Sequence, residues 1–144
     1  MRITVFVLGT MLASTAHAGP IKLLCRQDIE QTSYAGNGKA IPAQHITGTV
    51  EYILDPDEPS VMVRSASGTA KFTNGGGANG RHIIVDHDGM TMAGTSTMPN
   101  GGPETSEITR FSHGWTYGAD TREMRLHGRL LQHSKTVMTC TRSD

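Results

Sequence analysis

Residues 124–141 read MRLHGRLLQHSKTVMTCT, and the reading of this stretch decides the fold. Met124, Leu126, Gly128 and Leu130 alternate with Arg125, His127, Arg129 and Leu131, the period of two that belongs to a strand with one buried face. His133, Ser134 and Lys135 then supply a short polar turn. Thr136 to Thr141 follow as a second run rich in β-branched residues, so a hairpin is predicted whose last strand carries Cys140. The chain has two cysteines, and the partner of Cys140 is therefore Cys25. A bond between them ties the first strand of the mature chain to the last and closes whatever sheet lies between.

Residues 1–18 read as an export signal. Arg2 is its charged start, Ile3 to Leu12 its mainly apolar stretch, and Ala16-His17-Ala18 its A-x-A cleavage site. The mature chain is expected to begin at Gly19, with residues 19–144 forming a single β domain around one core. The apolar run is shorter than the roughly 20 residues that a spanning helix needs, and no later segment approaches it. No cysteine ends the signal to accept a lipid, so a free periplasmic or secreted product is expected, without stable membrane insertion. In such an oxidising compartment two cysteines near opposite ends of a domain read as a disulfide. On the chain-entropy model so long a loop contributes roughly 4 to 5 kcal/mol, which matters in a chain with three Phe, three Tyr and one Trp.

Thirteen Lys and Arg balance thirteen Asp and Glu. That balance excludes a nucleic-acid partner, whose binders carry a marked basic excess. Basic residues outnumber acidic ones after residue 108 and the reverse holds before it, an asymmetry read mainly as solvated faces.

Along the chain, Ile21 to Arg26 predicts the first strand, and the Gly- and Pro-containing stretch from Thr32 to Gln44 a loop. His45 to Leu54 alternates clearly, with Ile46, Val50, Tyr52 and Leu54 on one face. Asp55 to Ser60, with two prolines, is a reversal. Val61 to Ala66 returns, Thr69 to Thr73 continues or pairs beside it, and NGGGANG at 74–80 is a glycine-rich loop. His82 to Val85 and Met90 to Thr97 predict a hairpin around Asp86-His87-Asp88-Gly89. Met98 to Ser106 reads as a loop, and Glu107 to Phe111 with Trp115 to Tyr117 as a hairpin across Ser112-His113-Gly114. Eight to ten short strands without a convincing helix predict an all-β fold. The expectation is an antiparallel closed or flattened barrel, with a sandwich as the alternative, closed by one disulfide.

No nucleophile elbow or zinc-protease motif is present, and both cysteines are committed, so the chain reads as non-catalytic and without a cofactor. His82, His87, Met90 and Met92 lie on one predicted hairpin, and imidazole with thioether is a donor set that selects Cu(I). The M-T-M triplet at 90–92 with a nearby His resembles the metal-binding motif of small periplasmic copper chaperones. Filling of the core by the two methionines is the competing reading.

Arg64-Ser65-Ala66-Ser67-Gly68-Thr69-Ala70-Lys71-Phe72 resembles the S-A-S-G segment of the periplasmic C-type lysozyme inhibitors, small disulfide-tied β-barrels. The resemblance implies Ser67 as the residue inserted into the lysozyme cleft. A Cys near the mature N-terminus, the segment Ile108 to Trp115 and a last strand ending in Cys140 are together similar to many small exported proteins of Gram-negative bacteria. That likeness implies an exported β-domain and no particular activity. Within it Arg110 and Trp115 stand out as candidate binding residues, beside Ser67. The expected function is thus binding of a protein or small molecule, with lysozyme inhibition and Cu(I) binding as alternatives.

Overall fold

Cys25 and Cys140 are bonded, with S–S 2.05 Å, Cα atoms 4.0 Å apart and a sequence separation of 115. They are direct register partners on the first and last strands. The computed structural model describes residues 19–77 and 80–143, so the predicted signal at 1–18 lies outside the described residues. Nine strands follow in order: β1 (Ile21–Ser33), β2 (Gln44–Asp55), β3 (Ser60–Ser65), β4 (Gly68–Asn74), β5 (Gly80–Val85), β6 (Met90–Thr97), β7 (Glu104–Ser112), β8 (Tyr117–Leu126) and β9 (Arg129–Ser143). Each pairs with its neighbour in sequence, and β9 returns to β1 to close a barrel. A short 3-10 turn at Pro99–Gly101 sits between β6 and β7. Among the described residues no helix is long and apolar enough to cross a membrane.

An odd number of strands cannot alternate up and down all the way round a closed wall, so one neighbouring pair must run parallel. That pair is β4 and β5, joined through Thr73 to Gly80 and Asn74 to Arg81. Every other neighbouring pair is antiparallel. Parallel neighbours ordinarily need a long crossover; here β4 ends at Asn74 and β5 starts at Gly80, so only residues 75–79 separate them. The Gly75 amide donates to the Arg81 carbonyl at 3.0 Å and the Gly80 amide to Gly77 at 3.0 Å. A Cβ on Gly80 would fall 2.3 Å from the Gly75 carbonyl oxygen, so this close approach requires glycine there.

The expected turn at His133-Ser134-Lys135 is not a turn. The chain reverses at His127 and Gly128, both at positive φ, and β9 runs unbroken through 133–135. Trp115 likewise lies in the β7–β8 turn, at φ 70°, rather than on a strand. β1 extends beyond Arg26 to Ser33, and β7 begins at Glu104.

The interior divides along the barrel axis. Toward one end the inward side chains are apolar: Leu23, Cys25, Val50, Leu54, Val61, Ile83, Met90, Phe111 and Met138 are buried together. Buried area of this kind is the main favourable term in folding. Gly118 makes room for it, since a Cβ there would meet Met138 and Phe111 at 3.0 Å. Turns 86–89 and 113–116 cap this end and are latched to each other. The Asp88 carboxylate accepts from the His113 amide at 3.2 Å and the Gly114 amide at 2.6 Å, while its carbonyl accepts from the Trp115 amide at 3.3 Å. Trp115 is thereby folded inward, 4% exposed, as part of the core. In the 86–89 turn Gly89 lies so close to β7 that a Cβ would meet the Phe111 carbonyl oxygen at 1.9 Å.

Candidate functional site

Toward the other end the inward positions turn polar and the barrel opens into a cup of about 830 Å³, within the range of small-molecule sites. The change of character follows the strand period. On β1 the inward series Leu23, Cys25 continues as Gln27, Ile29 and Gln31. On β9 the series Cys140, Met138 continues outward toward the mouth as Thr136, Ser134 and Gln132. Ile46, Val63 and Phe72 bring an apolar wall from β2, β3 and β4. Ile46 is an inward-facing isoleucine left 42% exposed, because the cup puts no side chain against it.

Two successive inward rungs of the β7–β8 hairpin carry the charge. Glu107 pairs with Arg122 and Thr109 with Asp120 in register. An Arg122 guanidinium nitrogen lies 2.6 Å from Glu107 Oε1, and Thr109 Oγ1 donates to Asp120 Oδ1 at 2.8 Å. Asp120 is 8% exposed. Burial, then the charge of Glu107, pushes its carboxyl up to about 6 against the opposing pull of the Thr109 hydrogen bond and Arg122. Burial works against the Arg122 charge, yet Glu107, Asp120 and Tyr52 together hold its proton more firmly than usual. Tyr52 forms part of the floor, its ring edge-on to Phe111 with centroids 4.9 Å apart. Burial, followed by Asp120 and Glu107, raises its phenol well above the ordinary tyrosine range, so it keeps its proton and can donate.

A second guanidinium sits in the interior but behind the wall. Arg81 is 4% exposed, with its Cζ 4.5 Å from the Phe72 ring centroid. It donates to the Gly80 carbonyl at 2.8 Å and to Ser96 Oγ at 2.6 Å, and its Nε has no partner. A Cβ on Gly94 would lie 2.2 Å from its Cδ, so that glycine is the space Arg81 occupies.

The residues singled out from sequence do not converge. Ser67 stands on the β3–β4 turn at the rim of the cup, bonded to Ser65 Oγ at 2.8 Å. Arg110 points outward and borders a shallow depression of about 310 Å³ with Asp86 and Asp88. Trp115 is in the base, at the far end from the cup. Met90 and Met92 face into the barrel, 1% and 2% exposed, whereas His82 and His87 are exposed on its outside, so the proposed thioether and imidazole donors lie on opposite faces of the wall. Among the described residues no three His, Cys, Asp or Glu side chains gather as a metal would require.

Tyr52, Glu107, Asp120 and Arg122 were not anticipated. The signal available was the polar parity of β7, β8 and β9: Thr109, Asp120, Ser134 and Thr136 share strand faces with Phe111, Gly118 and Met138. A polar residue in phase with a core series faces a solvated interior. The cup can therefore exchange hydrogen bonds with a polar ligand, take up a proton on Asp120 and shelter an apolar group against Ile46, Val63 and Phe72. The chain matches no protein-family model and no curated protein.

Proposed function

We propose that the protein is a non-catalytic, exported binding protein that receives a small molecule in the open end of its barrel. The observation that carries this reading is the cup itself: about 830 Å³, with hydrogen-bonding groups from β1, β7, β8 and β9 and the apolar side chains Ile46, Val63 and Phe72 from β2, β3 and β4. Cavities at the mouths of β-barrels are common ligand sites. A disulfide in a small barrel fits an oxidising compartment, which supports export to the periplasm or the medium, with the mature chain starting at Gly19.

Gly48 provides the test. It lines the cup on β2, and a Cβ there meets nothing within 4 Å, so Gly48→Phe puts a ring into the cavity without displacing the wall. In a thermal-shift screen of a diverse small-molecule library, compounds are expected to raise the midpoint of the wild type and leave Gly48→Phe unmoved. Compounds that stabilise both proteins equally, or a library that stabilises neither, overturn the reading.

A further inference from the structure

We propose that the cup takes an organic cation, its amine end lodged beside Asp120 and Glu107 and its apolar body lying along Ile46, Val63 and Phe72. The inference rests on the small-molecule reading above and adds the ligand's charge. Among the described residues that line the cup, the ionisable side chains are Tyr52, Glu107, Asp120 and Arg122. Two carboxylates thus share one guanidinium, and Arg122 is already engaged by Glu107 at 2.6 Å. Arg81 stands outside the cup's lining, behind the Phe72 ring at 4.5 Å, spends its donors on Gly80 and Ser96, and is not among the groups that act on Asp120.

An incoming anion meets an excess of like charge, and a neutral ligand leaves that excess in place. A cation offsets it at Asp120, which is 8% exposed and therefore less screened than a surface carboxylate. The apolar wall is a separate observation with a separate demand. Ile46 is 42% exposed while facing inward, so the ligand's remaining surface is hydrocarbon or aromatic.

The occupied state depends on proton content. Asp120 is faced by Glu107 and Thr109 from β7, by Arg122 on its own strand, by its register partner Thr136 from β9, and by Tyr52 and Gln27 from β2 and β1. Of these, Arg122 and the Tyr52 phenol keep their protons over the working range, which leaves Asp120 to set the response. Below about 6, Asp120 takes up a proton, the excess charge disappears, and the cation loses its counter-charge to a proton drawn from solvent.

Calorimetric titration with phenethylamine and with its neutral counterpart 2-phenylethanol reads this directly. At pH 8 the amine is expected to bind about tenfold more tightly than the alcohol. The gap closes at pH 5, and it closes at both pH values in Asp120→Asn, which preserves the acceptor for Thr109. Equal binding of the two probes, abolished by Gly48→Phe, leaves the cup as a ligand site and overturns the cation. Absence of heat from either probe at millimolar concentration also overturns the cation, and the library screen then judges the cup on its own.

Discussion

Thr109 and Asp120 meet inside the barrel as cross-strand partners, the hydroxyl donating to the carboxylate at 2.8 Å. The bond favours the ionised form, yet burial and Glu107 outweigh it and Asp120 rises to about 6. A carboxyl raised on folding stabilises the native state fully below its unfolded value, near 4, and loses that contribution as pH climbs through 6. Asp120→Asn removes the loss. Urea denaturation is expected to show the variant gaining on the wild type by about 2 kcal/mol between pH 4 and pH 8. A difference independent of pH would mean that the carboxyl titrates alike in both states.

The tie between β1 and β9 is open to the same kind of measurement. Replacing Cys25 and Cys140 by Ser together should cost about 2 to 5 kcal/mol, read as a lower guanidinium midpoint with the fold retained. An unchanged midpoint would show that strand pairing alone holds the ends together.

The latch at the base predicts a spectroscopic change. Asp88→Ala strips the acceptor from the amides of His113 and Gly114 and should cost about 1 to 3 kcal/mol. Trp115 is the one tryptophan in the chain and is folded inward by this turn, so its emission is expected to shift to the red. Emission identical to wild type would assign the turn's shape to its backbone alone.

Much of the wall was legible before any coordinates. Alternation marked His45 to Leu54, Asp-Gly marked the hairpin at 86–89, and the count of cysteines named the closing bond. The errors share a physical cause. The sequence predicts a β1 that stops at Arg26, a β7 that starts at Glu107 and a turn at Ser134, because each of those segments carries polar residues toward the cup. Gln27, Gln31, Ser134 and Gln132 face inward, but the inside they face is wet, so their composition imitates a loop. Reversal at His127-Gly128 was hidden by the opposite accident, since Gly128 falls in phase with Leu126 and Leu130. The site itself is illegible for the same reason: its ionisable residues are spread over β2, β7 and β8 and are brought together by closure of the barrel rather than by spacing in the chain.

Closure also changes what a cut does. With sulfur joining position 25 to position 140, the chain between them is a covalent circle stitched a second time by its strands. A protease that opens one exposed turn, at 66–67 or at 127–128, makes the circle a line and releases no fragment. Two separate cuts are needed before any piece can leave, and even then neighbouring strands hold it on both flanks.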